Sequence, residues 1–181
     1  MTQEEKIEYA YLGGGCFWCI EAAFENINGV LDVTSGYCGG IAQTANYESI
    51  STGKTKHAEI CKISYDPNIV SFQVLLEVFF LAHDPTTLNM QGNDIGAQYR
   101  SVIFYDTKKQ KEISQKYIKQ LESENTYENI QTELSEFKVF YLAENYHQNY
   151  FSLNPKQPYC QIVIDPKMKK LKNKLKKYYL K

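Results

Sequence analysis

Gly13-Gly14-Gly15 divides the start of this chain into two unlike periods, and that break constrains the fold more than any other feature. Before it, residues 6–12 alternate and are β-prone, the pattern of a strand. After it, Ile20, Ala23, Phe24 and Ile27 fall at i, i+3, i+4 and i+7, which predicts a helix with one buried stripe, ended by Asn28-Gly29. A strand, a glycine turn and a helix start put Cys16 at or near a helix N-terminus. Unpaired N–H groups and the positive dipole end favour a thiolate there, so the thiol is expected below its usual value of about 8.5. The glycines carry no Cβ and leave the sulfur open to close approach. Phe17 and Trp18, the only tryptophan, fill a first turn where polar caps are usual. Such a break in a local rule tends to mark a site. The bland alternative is that Cys16 is a small core residue on the stripe of Ile20.

The remaining pattern mixes strands and helices without strict alternation. Residues 30–37 and 57–65 read as strands, Ser71 as the cap of a helix carrying Phe72, Leu75, Leu76 and Phe79, and 102–105 as a buried central strand. Residues 83–100 show no period, which inside a domain usually means a functional loop. A polar helix over 108–121, strands near 131–135 and 137–142, and a short helix over 145–151 follow. An irregular stretch then runs to Pro158. Met168, Leu171, Leu175 and Tyr178 predict an amphipathic helix in the lysine-rich tail, 166–181. These elements predict one α+β domain over residues 1–181, with a mixed central sheet flanked by helices.

Charge narrows the function. Residues 167–181 hold eight of the 20 basic side chains and no acid, which leaves 12 basic against 21 acidic elsewhere, or −9. An acidic body argues against nucleic-acid binding, and the lysines read as the solvated face of a helix packed at one edge. No apolar run reaches transmembrane length, and the start, MTQEEKIEYA, lacks the basic and apolar parts of a signal peptide. Five cysteines, an odd number, suit a reducing cytoplasm and leave at least one free thiol.

Several pairs and segments could carry chemistry. Cys16-x-x-Cys19 has the spacing of a dithiol and keeps a disulfide oxidoreductase as an alternative. Zinc would need more ligands than the scattered His57, His83 and His147 offer, so no metal is expected. Thr52-Gly53-Lys54-Thr55 would need a glycine at position 48 to be a phosphate loop, and Glu48 stands there. On the strand over 57–65, Glu59 points the same way as Cys61, Ile63 and Tyr65; in apolar company it would stay protonated near pH 7 and could donate a proton. An edge position facing water is the alternative. Asn46-Tyr47-Glu48, Gln91-Gly92-Asn93-Asp94 and Gln98-Tyr99-Arg100 lie in predicted loops. Cys160 follows two prolines in an irregular segment where a thiol could move.

GGGCFWCIEAAF (13–24), GVLDVTSGYCGG (29–40), NYESISTGKTKHAEI (46–60), HDPTT (83–87), QGNDIGAQYRS (91–101) and AENYHQNYF (143–151) together resemble the A-type peptide methionine sulfoxide reductases, in the family's order and over nearly the whole chain. The resemblance implies a ferredoxin-like core and reduction of methionine S-sulfoxide, free or in oxidised proteins. It implies that Cys16 is the nucleophile and Glu59 the acid. Phe17 and Trp18 would take the S-methyl group, Tyr47 and Tyr99 the sulfoxide oxygen, and Asp94 the substrate or a water. Attack would leave a sulfenic acid on Cys16, closed to a disulfide by a second thiol and recycled by thioredoxin, or by dithiothreitol in vitro, with no bound cofactor. Cys160 is favoured as the resolving thiol, with Cys19 and Cys38 as alternatives; no further cysteine follows it for a relay through the tail. The expected partners are the substrate and thioredoxin, with no nucleic acid or membrane, and the expected protein is a cytoplasmic monomer.

Overall fold

The computed structural model describes residues 6–180. Its sheet starts with β1 (Glu8–Gly13), which runs into the glycine turn and then α1 (Phe17–Phe24). β2 (Val30–Cys38), the short α2 (Tyr47–Ser51), β3 (Ala58–Tyr65) and α3 (Phe72–Ala82) follow. A two-residue hairpin, β4 (Met90–Gln91) and β5 (Asp94–Ile95), precedes β6 (Val102–Tyr105) and α4 (Lys108–Ser123). The chain ends with β7 (Glu133–Glu136), β8 (Tyr141–Leu142), α5 (Tyr150–Leu153) and α6 (Asp165–Lys174).

The main sheet has the order β7-β6-β1-β3-β2-β8, with every pairing antiparallel except β6 with β7. Its inner four strands, β6-β1-β3-β2, with α1 and α3 between them, form the βαββαβ arrangement of a ferredoxin-like core. Side chains alternate across the sheet and so divide the interior. Leu12, Cys61, Ile63 and Ile103 face α1, α3, α4 and α6 in the larger core. Tyr11, Cys38, Ile60, Val102 and Phe104 form a second core on the other face, covered by Phe137 and Phe140. The Phe137 ring stacks on Tyr11 with centroids 3.8 Å apart.

Local chemistry sets the helix ends. Ser71 and Thr107 accept N–H groups from the first turns of α3 and α4. The basic tail keeps its predicted stripe: Met168, Leu171 and Leu175 are buried, while Tyr178 donates to Glu77 at 2.7 Å. Tyr179 donates to the Ala23 carbonyl, also at 2.7 Å, so the lysines lie on the outer face of an edge helix.

Four expectations need correction. Residues 83–100 are not without structure: they hold the β4–β5 hairpin and a 3₁₀ turn at Ala97–Tyr99. Asn46 does not sit in a loop but caps α2, accepting the Ser49 N–H at 2.9 Å. The helix expected over 145–151 is two pieces, a 3₁₀ turn at Asn145–His147 and then α5, because Asn149 takes φ 53 between them. The irregular C-terminal segment is shorter than expected. Cys160 opens a π-helical turn, Cys160–Ile164, that continues into α6 and buries its thiol among apolar side chains.

Candidate active site

Cys16 is the N-cap residue of α1 (φ −58, ψ 127), and it offers no side-chain oxygen to the helix. No acid stands in the first turn either. The missing cap comes from the neighbouring strand: Oε2 of Glu59, on β3, accepts the Phe17 N–H at 3.1 Å. Glu59 lies on the helix-facing side of the sheet, as its register with Cys61 and Ile63 predicts, and is 2% exposed. Burial pushes its carboxyl up to about 8, the Phe17 N–H pulls the other way, and Asp94 and Glu144 add to the rise. At neutral pH the group is therefore largely protonated. The N–H occupies Oε2, which leaves the proton to Oε1.

Cys16 is 8% exposed, the most accessible of five free and buried thiols. Contrary to the expectation from the helix start alone, its thiol is raised well above its usual value. Burial is the largest cause, and Glu59 and Cys19 add to it against the Trp18 N–H. The helix terminus is outweighed because the sulfur has almost no water.

Aromatic rings enclose this junction. The Trp18 indole N–H donates to His147 Nδ1 at 3.1 Å, and its face lies on the Tyr150 ring at 3.6 Å and 5°. The His147 ring is 4.9 Å from Phe17 and 4.7 Å from Tyr47. The Tyr47 backbone N–H donates to Glu144 Oε1, and the Tyr37 hydroxyl to Glu144 Oε2, both at 2.8 Å. Gly15 N donates to the Tyr99 carbonyl at 3.1 Å, which ties the β5–β6 connection to the glycine turn. Tyr47 and Tyr99 are both raised, first by burial and then by Glu59 and Cys16, so both are neutral donors at pH 7. Asp94 Oδ2 accepts the Tyr159 hydroxyl at 2.7 Å, and that hydroxyl lies 3.9 Å from Cys19 Sγ.

Cys16, Phe17, Trp18, Tyr47, Glu59, Asp94 and Tyr99 thus come from five separate segments to one place. Cys19 and Cys160 share the core of Cys16, whereas Cys38 lies in the other core, across the sheet. The sequence reading missed Glu144, His147, Tyr150 and Tyr159. Their signal was present in AENYHQNY (143–150) and in the Tyr159-Cys160 pair, but no period or spacing ties them to Trp18 or Asp94. Among the described residues, no group of three or more His, Cys, Asp or Glu side chains is placed to hold a metal ion.

A family model described as peptide methionine sulfoxide reductase matches residues 8–179. The chain belongs to this family, in its A-type branch. The MsrA of Nautilia profundicola is 52% identical over 171 residues, covering 93% of this chain and 98% of that protein. The MsrA of Acinetobacter baumannii is 51% identical over 168 residues, 93% and 96% of the two chains. Among solved structures, Mxr1 from Saccharomyces cerevisiae in reduced form superposes with a TM-score of 0.77 at 31% identity, covering 88% of this chain and 92% of Mxr1. Methionine sulfoxide reductase A of Corynebacterium diphtheriae gives 0.73 at 36% identity, over 85% and 77% of the chains. Mxr1 has also been solved in complex with Trx2. The disulfide-oxidoreductase alternative thereby yields to methionine sulfoxide reduction. No described helix of the reductase is long and apolar enough to cross a membrane.

Proposed function

We propose that the reductase reduces methionine S-sulfoxide through Cys16, with Glu59 as the acid. The observation that carries this reading is the capping bond from Phe17 to Glu59, which holds a protonated, buried carboxyl against the helix start that bears the thiol. Phe17 and Trp18 receive the S-methyl group by burial, worth roughly 1–2 kcal/mol. Tyr47, Tyr99 and the free oxygen of Glu59 supply the neutral donors that a departing sulfoxide oxygen needs. Asp94 holds the substrate or a water, with Tyr159 fixing its carboxylate.

A buried thiol suits this chemistry. The positive sulfur of a bound sulfoxide favours the thiolate at the moment of attack, and an uncharged site costs less to keep dry. Attack joins Cys16 sulfur to methionine sulfur. The oxygen, lent a proton by Glu59, breaks from methionine and passes to Cys16 as the sulfur–sulfur bond breaks, which leaves reduced methionine and a sulfenic acid on Cys16. Methionine sulfur gains two electrons, Cys16 sulfur loses two, and the thiol proton stays with the sulfenic oxygen. Cys160 then displaces that oxygen as water and closes a Cys16–Cys160 disulfide. Cys160 is 0% exposed in its π-helical turn, so this step requires the turn to unwind. Thioredoxin returns the disulfide to two thiols, as the complex of the related Mxr1 with Trx2 suggests, and no bound cofactor takes part. We place the protein in the cytoplasm as a single-domain monomer that repairs oxidised methionine, with no nucleic acid or membrane partner.

The test is reduction of separated S and R epimers of a methyl sulfoxide by the wild-type and Cys16→Ser proteins. The wild-type protein should consume only the S epimer, and Cys16→Ser should consume neither. Turnover by Cys16→Ser would remove the mechanism.

A further inference from the structure

Glu21 lies one turn beyond Trp18 on α1, is fully buried, and has no part in the chemistry above. A buried carboxyl is costly unless donors satisfy its oxygens or it keeps its proton. Its Oε1 accepts the Asn149 N–H at 3.0 Å and the Ser35 hydroxyl at 3.3 Å, and its Oε2 accepts the Tyr150 N–H at 3.2 Å. Asn149, at φ 53, gives α5 no side-chain cap of its own, so Glu21 supplies that cap from another helix. The next residue, Tyr150, lays its ring on Trp18. One helix therefore carries both an indole and the carboxyl that sets a second ring against it.

We propose that Glu21 is a positioning residue of the aromatic site: by accepting the Asn149 and Tyr150 N–H groups it fixes α5 and holds Tyr150 parallel to Trp18. Its kinetic consequence rests on the reading of Phe17 and Trp18 as the methyl pocket; its structural content does not. If bulk packing were the whole role of position 21, an apolar side chain would fill the space without needing donors from three residues.

The experiment uses the only tryptophan as its reporter. Emission of Glu21→Ala and Glu21→Gln is recorded without substrate, followed by steady-state reduction of a methyl sulfoxide with dithiothreitol. In Glu21→Ala, loss of the stacked ring should shift the indole emission and raise KM about tenfold, with kcat changed less than about threefold. Glu21→Gln keeps one acceptor oxygen and should fall between. Unchanged emission in folded variants overturns the proposal. A shifted emission with unchanged KM upholds the positioning role and removes the methyl-pocket reading instead. Should Glu21→Ala fail to fold, the nearly isosteric Glu21→Gln decides by the same two readouts.

Discussion

Glu59 caps the helix of Phe17 through a single 3.1 Å bond, so this buried carboxyl and the helix start that follows Cys16 are fixed to each other by the fold itself. The carboxyl cannot drift from the sulfur without uncapping α1. Electrostatics and architecture therefore change together when this residue is altered, and experiments must separate them.

Glu59→Gln keeps an acceptor for the Phe17 N–H and removes the proton. Single-turnover reduction should slow about 100-fold, with substrate binding retained. The acid form of a group raised to about 8 is present below that pH and is lost above it. The wild-type rate constant should therefore fall as pH rises through about 8, and the Glu59→Gln profile should lack that limb. Rapid-quench measurement from pH 6 to 9.5 checks both.

Stability should follow the same group with the opposite merit. A carboxyl whose folded value is raised contributes fully below its unfolded value of 4.5 and loses that contribution as pH rises through about 8. Replacing it with neutral glutamine should stabilise the protein by roughly 2–4 kcal/mol at pH 8 and by little near pH 4. Urea unfolding of both proteins at the two pH values measures the difference. Equal gains at both would mean that Glu59 ionises freely in the fold.

Cys160→Ser should separate the first half-reaction from recycling. Dithiothreitol can reduce a sulfenic acid directly, so activity with it should stay within about twofold, while activity with thioredoxin should fall at least about 100-fold. Mass spectrometry of the wild-type protein after one turnover without reductant should show a Cys16–Cys160 disulfide. A Cys16–Cys19 bond would transfer the resolving role to Cys19.

Gly15 offers a test of the glycine turn. It holds φ +91, and a Cβ there would lie 2.7 Å from Gln91 Cγ. Gly15→Ala should destabilise by about 1–3 kcal/mol and lower activity, because it strains the backbone next to Cys16. Gly92, at φ +57 with open space around it, is the control, and alanine there should cost only about 1 kcal/mol. Thermal unfolding with an activity assay compares the two.

The parts of this fold that were legible in the sequence are those written in local chemistry. The break at Gly13-Gly14-Gly15, the cap at Ser71 and the alternation that turns Glu59 inward all follow from periods of two or 3.6 residues. Glu144, His147 and Tyr150 were not legible as site residues, because their placement depends on long-range bonds to Tyr47, Trp18 and Glu21. The thiol of Cys16 shows the same limit in energetic form. A helix start argues for a lowered value, but burial, which only the folded chain reveals, dominates it. Cys160 was misplaced for a similar reason: two preceding prolines suggest a loose strap, yet the residues after them wind into helix and enter the core.

The side chain of Gln148 takes the Ser35 N–H on its Oε1 and returns its own Nε2–H to the Ser35 carbonyl, each at 2.9 Å. One amide thereby imitates a paired residue just beyond the end of the two-residue strand β8. A sheet margin left bare at that point would invite a foreign segment to add itself. Together with the Ala143 N–H, which reaches the same Ser35 carbonyl at 3.1 Å, the glutamine amide closes the margin at that point to any extended chain that comes against it.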